Sequence, residues 1–198
     1  MKWMVVTSPA GFAGEVLFWR QVMEAGADAL HLRRPDGGRA AYEGLLRQLP
    51  ADIRRRVVLH DCFELAAAYG VGGVHLNRRN PIPPAGWTGR ISASCHSLDE
   101  VERRKAEGLD YVWLSPVFNS ISKPGYGAAF TPQELDEAAA QGIIDERVMA
   151  LGGVEPASAP LLRRWHFGGG VMLGAVARLA QRPAGDRAEL LRRIRQQW

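Results

Sequence analysis

Short apolar runs alternate with longer amphipathic segments along this chain. The runs Val5–Val6, Ala29–Leu32, Val57–Leu59, Gly73–Leu76, Arg90–Ser94, Tyr111–Leu114, Arg147–Leu151 and Gly170–Leu173 read as strands. Helical patterns follow them near Glu15–Ala25, Arg39–Gln48, Phe63–Tyr69, Leu98–Glu107, Pro132–Ala140, Pro156–Arg164 and Ala175–Leu179, with a charged helix from Asp186 closing the chain. Only the fourth strand is followed by an irregular stretch, marked by Pro81, Pro83 and Pro84. Regular strand–helix alternation implies a parallel sheet. A repeat of about 20–30 residues carried through eight units predicts a single-domain α/β fold over residues 1–198, a closed (β/α)8 TIM barrel. A doubly wound sheet is the competing arrangement. It would more often have five or six strands and a glycine fingerprint after the first, and Thr7–Gly11 carries none. Ser97, three residues before Glu100, has capping-box spacing.

A barrel collects its chemistry at the C-terminal ends of its strands. Those positions hold Arg33 and Arg34 after the second strand and His60 and Asp61 after the third. Asn77, Arg78, Arg79 and Asn80 follow the fourth, and Ser94, Cys95 and His96 end the fifth. Ser115–Lys123, after the sixth, presents two hydroxyls, Ser120 and Ser122, with the ammonium of Lys123, a set suited to a phosphorylated ligand. Gly152–Gly153 and Gly174 follow the last two strands, where side-chain-free turns let backbone N–H groups reach a phosphate.

Several of these residues admit two readings. Asp61 is a candidate magnesium ligand or the N-cap of a helix beginning at Cys62. His31 and His75 lie inside strands and read as hydrogen-bonded core residues, whereas His60 and His96 stand at strand ends, where His96 could orient Ser94. Cys95 and His96 are adjacent on a strand and point to opposite faces, which argues against a thiol nucleophile.

Composition removes other classes. Hydrophobic residues make up 46% and charged residues 23% of 198, as in soluble globular domains, and no apolar run is long enough to span a membrane. Met1–Thr7 reads as a strand rather than a secretory signal. Cys62 and Cys95 have no disulfide or zinc spacing, and the cytoplasm is the expected compartment. The net charge of +4 sits largely in Arg54–Arg56, Arg163–Arg164 and Arg192–Arg193, without interleaved aromatics, so it is read as solvated surface rather than a nucleic-acid patch.

In order, the chain carries Leu30–His31–Leu32–Arg33, Leu59–His60–Asp61, Gly73–Val74–His75–Leu76, Ser94–Cys95–His96–Ser97 and Gly108–Val112. Ser115–Pro116–Val117–Phe118 with Ser122–Lys123, Ala150–Val154 and Gly170–Ala175 follow. With these motifs it resembles the thiamine phosphate synthase / TenI family from Val5 to about Ala177. The resemblance implies a barrel that joins hydroxymethylpyrimidine diphosphate to a thiazole phosphate and releases pyrophosphate. It implies Arg33, Ser94 and Lys123 on the diphosphate and a magnesium ion on Asp61. Ser120, Ser122, Gly152, Gly153 and Gly174 would hold the thiazole phosphate. A homodimer is compatible with a small barrel of this family.

The chain departs from the family pattern in places. Pro35 replaces a lysine, with Arg34 as the nearest substitute, and His60–Asp61 replaces Asn–Asp. Asn77–Asn80 replaces G-Q-x-D, so a second magnesium carboxylate becomes Asn80, and Gly174 replaces a serine. Pro116 stands where the isomerising TenI branch has a histidine, as in the synthases. Isomerisation of a thiazole phosphate, or binding of a phosphorylated metabolite without chemistry, are the alternative functions.

Overall fold

The computed structural model describes residues 1–119 and 127–198. Parallel strands close in chain order into a barrel: β1 (Lys2–Val6), β2 (Ala29–Leu32), β3 (Val57–Leu59), β4 (Gly73–Leu76), β5 (Arg90–Cys95), β6 (Tyr111–Leu114), β7 (Val148–Ala150) and β8 (Gly169–Met172). Met4 pairs with Ala29 on one side and Val171 on the other, which seals the seam between first and last strands. Around the barrel lie α1 (Glu15–Glu24), α2 (Arg39–Leu46), α3 (Ala51–Arg54), α4 (Leu65–Tyr69), α5 (Leu98–Ala106), α6 (Pro132–Ala140), α7 (Ala159–Arg164), α8 (Gly174–Ala177) and α9 (Ala184–Gln197). The expected (β/α)8 barrel is therefore the fold.

The strands read as continuous apolar runs because both of their faces are covered. Trp3, Val5, Leu30, Leu32 and Leu59 face outward into the layer beneath the helices, joined there by Phe18, Trp19 and Leu46. Their alternate neighbours Met4, Val6, Ala29, Val58, Trp113, Met149 and Val171 fill the lumen. The lumen is not uniform. Its β7–β8–β1 side is apolar, while the β2–β6 side carries His31, His60, His75, Ser92, Ser94 and Tyr111.

Several boundaries differ from the periodicity. α2 stops at Leu46, and α3 is a short turn the pattern does not signal. α4 starts at Leu65, with Cys62 in the left-handed region at φ 55, so Asp61 is not a helix N-cap. α9 begins at Ala184, because Pro183 supplies a preset φ for the turn before it. Ser97 does cap α5, accepting Glu100 N–H at 3.2 Å, but the Glu100 carboxylate turns back to His96 N–H at 2.6 Å instead of completing the box. A full capping box appears on α6, between Thr131 and Glu134.

The arginine runs are only partly surface. Arg54 donates to the carbonyls of Tyr69 (2.8 Å) and Leu49 (2.7 Å), and Arg56 to those of Ala27 (3.0 Å) and Met23 (3.2 Å). These carbonyls lie at or just past helix ends, where they lack intrahelical donors, so the guanidiniums act as clamps. Arg163 likewise ties α7 to the Gln197 carbonyl at 2.7 Å. Arg192 and Arg193, both paired to Glu189 on α9, are surface as expected.

Candidate active site

The C-terminal mouth of the barrel gathers the strand-end residues singled out above, apart from Ser120, Ser122 and Lys123, which lie outside the described residues. Beneath it the polar half of the lumen forms a connected hydrogen-bond array. Tyr111 Oη meets His31 Nε2 at 2.9 Å, and His31 Nδ1 meets His60 Nε2 at 3.0 Å. His75 is held at both ring nitrogens, Nδ1 by Ser92 Oγ and Nε2 by Ser94 Oγ, each at 2.9 Å. The rings of His60 and His75 stack at 4.3 Å and 21° between planes, and Trp113 lies against His31 and His75 at 4.3 and 4.1 Å.

Burial dominates the protonation of this array. It holds His31 and His60 well below the ordinary imidazole value and His75 down to about 3. His60 is lowered further by His75, His31 and the guanidiniums of Arg33 and Arg79, which bring positive charge to its side of the mouth. All three histidines are therefore neutral at neutral pH. Their nitrogens lie within 4.8 Å of one another, as a metal cluster would require. However, imidazoles bind metals in their ring planes, and the near-parallel His60 and His75 rings cannot aim at one ion. These histidines are a packed hydrogen-bonded floor, as the reading of His31 and His75 expects, and His60 belongs to it too.

Above the floor stand the groups that can meet a ligand. Ser94, half-buried, is positioned by His75. Arg33 is half-buried, and its side chain makes no hydrogen bond among the described residues. Arg34 differs. It is 4% exposed and its guanidinium is engaged by the Glu15 carboxylate and the Ser8 carbonyl. It fastens the β1–α1 loop to the end of β2 and cannot offer the charge of the lysine it was matched to. His96 is exposed and directs Nδ1–H to the Ser115 carbonyl at 3.1 Å, so it orients the start of the β6 loop and does not reach Ser94. Cys95 is fully buried on the outer face of β5, and burial pushes its thiol up to about 12, which removes it as a nucleophile.

Gly152 and Gly153 adopt φ of 92° and 63°. A Cβ on Gly152 would lie 2.8 Å from Pro116 Cα, and one on Gly153 would lie 2.4 Å from the Asn119 carbonyl oxygen. Only glycine lets the β7 turn nest under the β6 loop, which it grips through Phe118 N–H on the Gly152 carbonyl at 3.0 Å. Gly174 opens α8 beside a groove of about 800 Å3 lined by Ser8, Phe12, Ala13, Ala177 and Arg178.

Asp61 sits in an arrangement the sequence does not announce. Its Oδ1 accepts from Arg79 Nε (2.9 Å) and Asn80 Nδ2 (2.8 Å), and its Oδ2 from Arg79 Nη2 (2.9 Å) and Tyr42 Oη (3.1 Å). The turn that presents Arg79 is built by Asn77, whose Oδ1 accepts the N–H groups of Arg79 (2.9 Å) and Asn80 (3.2 Å) while its Nδ2 donates to the His60 carbonyl at 2.6 Å. Tyr42 also accepts Arg34 N–H at 3.0 Å, which joins this corner to the end of β2.

Residues 4–176 match the family model described as thiamine monophosphate synthase. The chain belongs to this family. It is similar to a thiamine phosphate pyrophosphorylase from Bacteroides thetaiotaomicron, at 35% identity and a TM-score of 0.88 over all of this chain and 97% of that one. It is also similar to a thiamine-phosphate synthase of Thermus thermophilus, at 29% identity over 161 residues, 77% of each chain. A thiamine phosphate pyrophosphorylase from Pyrococcus furiosus shares the fold at 21% identity and a TM-score of 0.77, covering 99% of this chain and 94% of that one.

Thiamine monophosphate synthase membership implies a magnesium ion on Asp61 and Asn80, and the residues do not fit one. A carboxylate has about four lone-pair sites, and Arg79, Asn80 and Tyr42 take two on each oxygen. Asn80 turns its amide N–H groups, not its carbonyl, toward Asp61. An added cation there would lack a free oxygen and would face the Arg79 guanidinium. Residues that shape this corner, Tyr42 and Arg79, carried only weak signals in the sequence: a tyrosine in a helical pattern and one arginine of a strand-end pair.

Proposed function

We propose that this chain couples a pyrimidinylmethyl diphosphate to a thiazole phosphate, forming thiamine phosphate and releasing pyrophosphate. The observation that carries the reading is the gathering of Arg33, Ser94 and the Gly152–Gly153 turn at one barrel mouth, in a chain matching the synthase family over residues 4–176. In this reaction the bond from the pyrimidine methylene carbon to the diphosphate oxygen breaks, and the thiazole nitrogen captures the carbon. The protein must mainly stabilise negative charge on the departing diphosphate.

Arg33 supplies fixed positive charge at the mouth. Ser94 supplies a hydroxyl held in place from below: when His75 carries its proton on Nε2, Ser94 accepts from it and keeps its own hydrogen for a phosphate oxygen. Lys123 serves the same diphosphate from the β6 loop. Backbone N–H groups of the Gly152–Gly153 turn and of Gly174, with Ser120 and Ser122, suit the thiazole phosphate. Buried Trp113 and neutral imidazoles keep the floor free of charge that would compete for the anion. Thiols that carry no disulfide, Cys62 and Cys95, and small charged substrates suit a cytoplasmic enzyme.

The test incubates purified protein with hydroxymethylpyrimidine diphosphate and thiazole phosphate, and follows thiamine phosphate by thiochrome fluorescence. Product at a rate proportional to protein supports coupling. No product, with thiazole phosphate still raising the melting temperature, would favour a barrel that binds without coupling, a reading to which the saturated Asp61 lends weight. Isomerisation of the TenI kind has less behind it, since Pro116 offers no proton shuttle.

A further inference from the structure

Where the family pattern calls for a divalent cation between two carboxylates, this chain carries one carboxylate, one neutral amide and a guanidinium, and both sets sum to no net charge. The guanidinium is built in. Arg79 forms a fork on both Asp61 oxygens at 2.9 Å, the Asn77 turn fixes its backbone, and Asn80 and Tyr42 complete the carboxylate. Asp61 is largely covered, with 16% of its side chain exposed, whereas 51% of the Arg79 side chain is open to solvent at the C-terminal end of β4. Its Nε–H and one Nη2–H go to Asp61. Among the described residues, both Nη1–H groups and the second Nη2–H have no partner, and they form the planar array that matches the phosphate edge of an incoming anion. Because the fork already fixes the side chain, little rotamer freedom remains to be lost when that anion arrives.

We propose that Arg79 takes the place of the divalent cation, so that this mouth binds a diphosphate group without metal. The inference deepens the proposed coupling reaction, resting on it only for the identity of the anion in the cell. Asp61 is then a positioning residue for Arg79 and not a metal ligand. Asn80 belongs to the same change, since an aspartate there would set a second carboxylate against the first with one guanidinium between them.

The experiment uses pyrophosphate and Mn2+ as probes, so its outcome is independent of thiamine phosphate formation. Calorimetric titration of the purified protein with pyrophosphate in excess EDTA is expected to show binding. Arg79→Gln should weaken it by about tenfold or more, as loss of a charge-assisted fork requires, and Arg79→Lys should recover part of that. Electron paramagnetic resonance with Mn2+ should find no Asp61-dependent site in the unaltered protein and should find one in Arg79→Gln/Asn80→Asp. Pyrophosphate binding that needs added Mg2+, or is indifferent to Arg79→Gln, overturns the inference. So does a one-per-chain Mn2+ site that Asp61→Asn abolishes, or a double variant that gains no Mn2+ site. Absence of coupling with Arg79-dependent, metal-free pyrophosphate binding would remove the coupling reaction and leave this inference standing.

Discussion

Acid should unfold this protein in a pH window set by its buried histidines. His31 and His75 are 0% exposed and His60 is 4% exposed, and burial lowers all three below the ordinary value. A base whose folded value is depressed stabilises the fold fully above its unfolded value of about 6.5, and that stability is lost as pH falls toward the folded value. For His75 the window runs from about 6.5 down to about 3. At pH 5 an imidazole that protonates only on unfolding, as His75 does, costs about 2 kcal/mol, and His31 and His60 act in the same direction. Losses of this kind are a large part of the roughly 5–15 kcal/mol that holds a domain together. The carboxylates with lowered values, Glu134, Asp145 and Glu189, act below their ordinary range near 4, so the span from 6.5 to about 4.5 belongs to the histidines. Urea unfolding followed by tryptophan fluorescence at steps from pH 7.5 to 5 would measure the slope, and His75→Gln should lower it by about one proton. Stability flat across this range, or a His75→Gln slope equal to that of the unaltered protein, would refute the reasoning.

The remaining expectations concern single contacts. Arg34→Met should cost about 3–5 kcal/mol in urea unfolding because it strands the Glu15 carboxylate, and adding Glu15→Leu should return much of it. Gly153→Ala places a Cβ against the Asn119 carbonyl at a φ of 63° and should destabilise by about 1–3 kcal/mol while weakening thiazole phosphate binding in a thermal-shift titration. Cys95 should resist a thiol reagent in the native state and react only in denaturant, since it is buried and its thiol is pushed up to about 12.

The barrel was legible because parallel strands buried on both faces read as bare apolar runs, and Val57–Leu59 or Tyr111–Leu114 have no other economical interpretation. Strand ends were legible for the same reason, which is why Arg33, Asp61 and Ser94 could be named as mouth residues. Partnerships were not. Arg34 and Arg33 are neighbours of the same type, yet one is spent on Glu15 and the other faces the mouth, because successive residues leaving a strand point to opposite sides. Asp61 looked like a metal ligand or a cap. What decides its state is Arg79, 18 positions along, and Tyr42, 19 positions back, which only the closed barrel brings together. The arginine clamps at Arg54 and Arg56 were missed because a carbonyl in need of a donor leaves no trace in composition.

The division of the lumen ties stability to chemistry. An apolar β7–β8–β1 side packed by Met4, Met149 and Val171 would suffice to close a barrel. The histidine side does something packing cannot: it fixes polar groups at a known height under the mouth. His75 is pinned by Ser92 below and pins Ser94 above, so the Ser94 hydroxyl inherits its position from one buried and one part-buried hydrogen bond rather than from a loop. Removing an unpaired charge from such a floor matters more than adding a bond to it, because an imidazolium there would have no carboxylate partner. Neutral histidines can therefore lie under the proposed anion site, with its guanidiniums, without drawing the anion inward. Ser94→Ala would delete only the last link of this chain. Loss of pyrophosphate affinity with unchanged acid stability would show that the link serves the mouth, whereas loss of stability alone would assign it to the floor.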